Sequence, residues 1–500
     1  MKKKIYHIDC TLRDGGYYNS WNFDDQVVEK YLDTMSKLNI DYVEIGFRFL
    51  NNFKDHGPYA CVTEKQINKF KISKKTKLAV MINISEFSYK DLFKEIDRLF
   101  LKRKLSQISL VRIATHVSDF LKAIVASNYL RKLGYMTAIN LMQITEVKKE
   151  KLLEIINLIN KSSVNFFYIA DSLGSMTTHQ AKFLSDILKI NLTKPFGIHA
   201  HDNIELALSN TILFLDQNAS FVDSTVMGMG RGPGNTKTEL LCAYLNFKKL
   251  KNYNLLNLTN LIDEYFSKLK HKYKWGTNIY YYLSAKNKIH PTYIQLILSE
   301  KRYEENEILL AIDNLKKQKS KSYDPTILEN SKKFLNNIPQ KNININLFKN
   351  KKILLIANGE TLNKYKKQID NFIKKYKPVI ISLNNLKDVF FINKVNYIAI
   401  SHPARVIADI NSIDIKHKLI TPYSSFNYDL KKKIKKYHKV DYGLELKKKK
   451  FFFNSKYCCL EKNLVLSYIL SLLFNCQVKS IHFAGLDGYE NNNISRNENN

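Results

Sequence analysis

A repeat of pattern constrains this chain more than any single motif. Short apolar, β-rich runs return eight times in its first half: Ile5–Thr11, Tyr42–Phe47, Leu78–Ile84, Ile108–Thr115, Met136–Met142, Phe166–Asp171, Phe196–His201 and Phe221–Met227. Amphipathic stretches lie between them, among them Asp24–Leu38, Tyr89–Leu101, Val117–Leu133, Val147–Lys161, Thr178–Leu188 and Ile204–Gln217. A short buried strand alternating with a helix is the βα pattern. Eight such units in about 240 residues predict a closed (β/α)8 TIM barrel, with an extra loop around Phe49–Val62.

The predicted strands end in polar residues: Asp9, Arg13 and Asp14; Glu44 and Arg48; Thr115 and His116; Asn140 and Gln143; Asp171; His199 and His201. In a barrel those ends and the loops after them form the active face. Polar residues begin loops everywhere, but here most are titratable or metal-capable. In His199-Ala200-His201 the histidines lie two apart, so on a strand both imidazoles face the same side, as two ligands of one metal must. The run Asp9-Cys10-Thr11-Leu12-Arg13-Asp14-Gly15-Gly16 closes the first strand. The eighth leads into Gly228-Met229-Gly230-Arg231-Gly232-Pro233-Gly234-Asn235, where glycines let backbone and the Asn235 side chain approach a ligand closely. Strands one, seven and eight are neighbours only if the sheet closes.

These three motifs in this order, over roughly Lys4 to Lys249, resemble the DRE-TIM metallolyases. That group includes 4-hydroxy-2-oxovalerate aldolase, hydroxymethylglutaryl-CoA lyase, isopropylmalate and homocitrate synthases and the carboxyltransferase domain of pyruvate carboxylase. Val111–His116 and Ile169–Ser172 look most like the aldolase branch. The resemblance implies a divalent cation held by Asp14, His199 and His201, with Asn235 as a further ligand; Mn²⁺ is expected first, with Mg²⁺, Co²⁺ and Zn²⁺ as alternatives. It implies a 2-oxo acid and an aldehyde as reactants, and Lewis-acid stabilisation of a pyruvate-type enolate. Arg13 would stand beside the developing charge, with Asp9 and Glu44 orienting it and the metal's ligands. In the aldolases a histidine soon after Arg-Asp-Gly serves as acid/base; here that place is Tyr17, whose ordinary pKa near 10 suits a base poorly. His116 and His56 are the alternative bases. The coenzyme-A lyases carry a cysteine in the glycine loop, and residues 228–235 contain none. The expected activity is a metal-dependent aldolase, a carbon–carbon lyase; a Claisen-type synthase joining an acyl-CoA to a 2-oxo acid is the alternative.

Length alone predicts more than one domain. Residues 1–250 would be the barrel, 251–349 a helical extension and linker, 350–490 a smaller α/β open sheet, and 491–500 a disordered tail. In the second sheet, strands are expected at Ile353–Ala357, Val379–Leu383, Tyr397–Ser401, Lys418–Ile420 and Ile481–Ala484. Ala357-Asn358-Gly359-Glu360-Thr361-Leu362 enters a helix and, with Phe483–Tyr489, faintly resembles sialyltransferase-like polysaccharide domains, which implies a nucleotide-sugar or phosphate ligand and a role in surface polysaccharide synthesis.

The net charge of +33 accompanies abundant Lys, Asn, Ile, Tyr and Phe, the bias of an AT-rich genome. No nucleic-acid motif goes with it, so nucleic acid is not an expected partner. Six cysteines without a C-x-x-C pair predict reduced thiols. The N-terminus lacks an apolar signal core and no stretch is long enough to span a bilayer, so a soluble, cytoplasmic protein, open to homo-oligomerisation, is expected.

Overall fold

In the computed structural model, residues 4–487 are described apart from 52–54, 74–75, 300–304, 319, 332–338, 340, 387, 427, 448–449 and 462. Eight parallel strands form a closed barrel: β1 (Tyr6–Asp9), β2 (Tyr42–Phe47), β3 (Lys77–Asn83), β4 (Ile108–Thr115), β5 (Met136–Leu141), β6 (Phe166–Ala170), β7 (Phe196–His199) and β8 (Phe221–Ser224). Pairing of β1 with β8, from Tyr6 against Phe221 to Asp9 against Ser224, closes the ring. Helices follow the strands, and their apolar stripes pack on the outward-facing Val, Ile and Leu of the sheet to make the main core.

The two-residue strand period builds the inside in layers. A lower layer holds Ile8, Tyr42, Ala79, Leu110, Ala138, Phe166 and Phe221, all buried together. Phe166 and Phe221 stack at 3.9 Å between centroids. Two residues further along, the same inner face carries Glu44, Arg112, Asn140 and Asp223, all buried. The barrel thus has an aromatic floor and a charged storey above it, below the C-terminal mouth.

The first predicted strand is cut short. It ends at Asp9, and Thr11–Asn19 is a helix, although it contains Gly15 and Gly16, poor helix formers. Packing overrides propensity: a Cβ on Gly16 would lie 2.0 Å from Trp21 Cδ1, and one on Gly15 would lie 2.9 Å from Met229 Sδ. Strand β7 likewise ends at His199, and His201 pairs as an isolated antiparallel bridge with Asn235.

The chain divides into two compact units, one drawn from Met1–Leu296 and Lys319–Tyr323, the other from Ile297–Gln318 and Asp324–Asn500. In the first, the helices Leu255–Leu261, Ser267–Tyr273 and Ile279–Lys286 follow the barrel, with a π-helical turn at Ile262–Phe266. The second unit contains β9 (Lys352–Ile356), β10 (Val379–Leu383), β11 (Tyr397–Ala399), β12 (Lys418–Thr421), β13 (Lys439–Asp441), β14 (Gly443–Leu446), β15 (Phe452–Phe453), β16 (Tyr457–Leu460) and β17 (Ser480–Ala484). Six are parallel in the order β13-β12-β11-β10-β9-β17. A separate three-stranded sheet, β14-β16-β15, and strand β13 go beyond the pattern read from the sequence. The expected disordered tail at 491–500, and Gly488 and Tyr489 of the last motif, lie outside the described residues. Among the described residues no helix is long and apolar enough to cross a membrane, and all six cysteines are free.

Candidate metal centre

Asp14 stands in the first turn of the helix after β1, and His199 ends β7. One potential ligand atom each from Asp14, His199 and His201 lie within 4.8 Å of one another, all three side chains buried. His199 is held from behind: its Nδ1 lies 2.8 Å from Asp223 Oδ2. With Asp223 accepting the Nδ1 proton, the Nε2 lone pair faces forward. It meets Asp14 Oδ2 at 3.1 Å and Asn235 Nδ2 at 3.2 Å.

Whether these residues fit a divalent cation can be judged from their unused atoms. Asp14 Oδ2, His201 Nδ1 and Asn235 Oδ1 are buried without a hydrogen-bond partner, an expensive condition unless something else binds them. Asp14 Oδ2 and His199 Nε2 are 3.1 Å apart, the spacing of two ligands of one ion: adjacent ligands at about 2.1 Å from an octahedral ion lie about 3.0 Å apart. One carboxylate, two imidazoles and an amide are a fitting donor set. Gly230 makes room for it: a Cβ there would lie 1.9 Å from Asn235 Oδ1.

The charged storey beneath is a chain of ion pairs. Arg13 donates from Nη1 to Asp14 Oδ1 at 2.7 Å and from Nε to Glu44 Oε2 at 2.8 Å. Glu44 Oε2 also accepts from Arg112 Nη1 at 3.2 Å, and Arg112 Nη2 donates to Asp223 Oδ2 at 2.6 Å. The Arg112 guanidinium lies 4.3 Å from the centre of the Tyr168 ring. Burial pushes the Asp14 carboxyl up, but Arg13 and then His199 outweigh it and hold the group well below the usual carboxylate range. Burial raises Asp223 too, and Arg112 and His199 reverse that. His199 goes the other way: burial and Arg13 lower it, and the carboxylates of Asp14 and Asp223 more than compensate.

Arg13, Asp14, Glu44, His199, His201 and Asn235 are therefore brought together as the sequence reading placed them. Tyr17 lies beside them, with the Arg231 guanidinium 5.4 Å from its ring centre; burial raises its phenol pKa above the usual value. His116 is partly buried at the end of β4, its imidazole pKa lowered by burial first and by Arg231. His56 meets Trp21 edge to face, with ring centroids 5.0 Å apart. The expectation that Asp9 orients Arg13 fails: its carboxylate accepts from Thr11, Tyr31 and Thr238. Period two explains why, since Ile8 and Cys10 take the inner face and Asp9 points to the helices. The sequence reading missed Arg112, Asp223 and Arg231. Counting two residues on from Leu110 and Phe221, along the inner face, would have found the first two.

The helical segment closes over the strand-end loops. Trp275 Nε1 donates to Met227 O at 2.9 Å and Thr277 Oγ1 to Asp202 O at 2.6 Å. Gln295 Nε2 donates to Tyr17 O at 2.7 Å, while its Oε1 accepts from Gly232 N at 2.9 Å.

Residues 4–264 match the family model described as HMGL-like, more than half of the 500 residues. The chain belongs to the HMGL-like family. Among its relatives, the 4-hydroxy-2-oxovalerate aldolase of Carboxydothermus hydrogenoformans is 31% identical over 252 residues, 49% of this chain and 71% of that protein. The enzyme of the same name from Brevibacillus brevis is 29% identical over 255 residues, with the same coverage of 49% and 71%. A crystal structure of the N-terminal domain of a candidate aldolase from Bacteroides vulgatus matches with a TM-score of 0.53 and 32% identity, over 61% of this chain and 99% of that one. The carboxyl transferase domain of Rhizobium etli pyruvate carboxylase shares the fold, with a TM-score of 0.52 at 12% identity, over 66% of this chain and 61% of that one. The expectation of a metal-dependent carbon–carbon lyase stands with this HMGL-like membership.

In the second unit, β9 sits between β10 and β17, and the chain leaves its carboxyl end toward β10. There Gly359 N donates to Gly485 O at 2.9 Å, and Thr361 N donates to Asp487 Oδ2 at 2.7 Å. Asp487 thus accepts from the turn's amide at Thr361.

Proposed function

We propose that the barrel cleaves, and in reverse forms, the carbon–carbon bond beside a 2-oxo acid, passing through a pyruvate-type enolate. Asp14, His199, His201 and Asn235 hold a divalent cation, Mn²⁺ by preference, which supplies Lewis acidity toward the oxo acid. The observation that carries this reading is the convergence of one ligand atom each from Asp14, His199 and His201 within 4.8 Å, with Asp14 Oδ2 and Asn235 Oδ1 buried without a hydrogen-bond partner and the Arg13 guanidinium fixed beside them. Arg13 stabilises negative charge developing on the substrate oxygen; its geometry is preset by Glu44, so no reorganisation is needed during reaction. Arg231 donates from Nη2 to Ser172 O at 3.0 Å while its buried Nε has no partner; it anchors the substrate carboxylate. Tyr17, with its proton held tightly by burial, acts as a hydrogen-bond donor rather than a base.

The test is pyruvate release by the Mn²⁺-loaded chain from a panel of 4-hydroxy-2-oxo acids, with Asp14→Ala and His199→Ala as controls. Release that survives either control refutes the assignment. Absence of release, combined with thiol formation from acetyl-CoA and a 2-oxo acid, establishes the synthase alternative instead. For the second unit, the turn after β9, where a helix begins at Thr361, is the proposed ligand side. A nucleotide sugar is the proposed ligand, in surface polysaccharide synthesis, and equilibrium dialysis of the full chain against nucleotide sugars tests it.

A further inference from the structure

We infer that His290, on the helical segment rather than on the barrel, is the proton-transfer group of this site. The inference rests on the aldol reading above. The position just after Arg13-Asp14-Gly15-Gly16 holds a phenol, Tyr17, whose pKa is raised by burial; near neutral pH it does not take a proton. A reaction that breaks a bond next to a hydroxyl still needs a group that does.

The segment around His290 is fixed at the mouth. A Cβ on Gly232 would lie 3.0 Å from Pro291 Cβ, so the residue after His290 packs on the glycine loop next to Arg231. Gln295, one turn on, bonds both Gly232 N and Tyr17 O. On the other side, His290 N donates to Ser320 O at 2.8 Å, and Lys321 O accepts from Gln143 on the loop after β5 at 2.7 Å. His290 is thus braced by loops from two sides of the barrel. Burial first, and then Arg231, His201 and His116 on the active face, hold its imidazole well below the usual histidine range, so it stands neutral and open to a proton. The one hydrogen bond to its ring among the described residues runs from Thr292 N to Nδ1 at 3.4 Å. That is a long contact, and Nε2 keeps no protein partner in those bonds.

In the cleavage direction His290 takes the proton of the C4 hydroxyl. The C4–O bond becomes the carbonyl of the departing aldehyde, and the C3–C4 electron pair passes into the enolate of the oxo acid. The enolate takes its proton at C3 from water and His290 gives the hydroxyl proton up to solvent, giving pyruvate and the aldehyde with no other reactant consumed.

Two reactions of the Mn²⁺-loaded full chain separate this role from metal chemistry: pyruvate release from 4-hydroxy-2-oxo acids, and decarboxylation of oxaloacetate. The second forms the same enolate with no hydroxyl to deprotonate. In His290→Gln and His290→Ala, cleavage is expected to fall by about 10²–10⁴-fold, the usual worth of a positioned acid/base. Decarboxylation and Mn²⁺ affinity by calorimetry stay at wild-type values. Equal loss of both reactions, loss of metal binding, or undiminished cleavage overturns the role of His290 alone. So does cleavage that is abolished in Tyr17→Phe but retained in His290→Gln. A wild-type chain that cleaves none of the hydroxy-oxo acids overturns the aldol reading, and this inference with it.

Discussion

Asp223 touches neither substrate nor cation in the proposed site, yet replacing it tests how that site is built. It is 2% exposed, and one oxygen serves both Arg112 at 2.6 Å and His199 Nδ1 at 2.8 Å. Asp223→Asn keeps the shape and removes the charge. An amide oxygen can still face both donors, but the amide nitrogen then occupies the position of Oδ1, which is buried without a partner. Arg112 keeps Glu44 at the longer distance of 3.2 Å. Loss of a partner from a buried ion pair costs about 3–5 kcal/mol, read by urea unfolding of the metal-free protein. The histidine that presents Nε2 forward also loses its anionic support, and such outer contacts are worth about 10–100-fold in metal affinity, roughly 1.4–2.7 kcal/mol. Calorimetric titration of the folded variant with Mn²⁺ reads that directly. Wild-type affinity in Asp223→Asn would falsify the argument that Asp223 sets the His199 tautomer and so directs its lone pair to Asp14.

Gly230→Ala introduces no backbone strain, but its methyl group meets Asn235 Oδ1 at 1.9 Å; weaker Mn²⁺ binding is expected, seen in the same titration, and unchanged affinity removes Asn235 from the ligand set. Arg13→Lys keeps a positive charge but cannot reach Glu44 and Asp14 together, so pyruvate release should drop by about 10²–10³-fold while the metal still binds. Asp171 is buried, and burial, only partly offset by the amides of Met176 and Ser175, raises its pKa from 3.8 to about 6. The folded state therefore binds the proton more tightly than the unfolded chain. Its contribution is full below about pH 4 and lost as pH rises through 6, about 3 kcal/mol in all. Urea unfolding of the metal-free protein across that range should show the slope, and Asp171→Asn should flatten it.

The barrel was legible because its signal is repeated: β2 and β4 begin and end where their apolar runs do. The convergence of Asp14, His199 and His201 was legible because three motifs had to meet at neighbouring strands. What escaped follows from physical causes that the motifs do not carry. Gly15-Gly16 reads as a turn by propensity, and only Trp21 and Met229 pressed against the glycines explain a helix there. Arg112 lies within the strand Ile108–Thr115, where an internal arginine has meaning only once Glu44 and Asp223 are known to surround it. His290 is some ninety residues from the nearest ligand histidine, His201, in a segment with no strand period to say which way it faces; only the tertiary contacts of Gln295 and Pro291 bring it to the mouth. Strand β13 and the β14–β16 sheet are two to four residues each, too short for periodicity to mark them.

The ion-pair chain beneath the mouth also carries a net charge. Arg13 and Arg112 face Asp14, Glu44 and Asp223, two positive charges against three negative. An anionic 2-oxo acid approaching that cluster meets a surplus of its own sign. A divalent cation reverses the balance to one positive charge. On the proposed reading the cluster itself calls for the cation, while the carboxylate of the acid is met by Arg231 outside it.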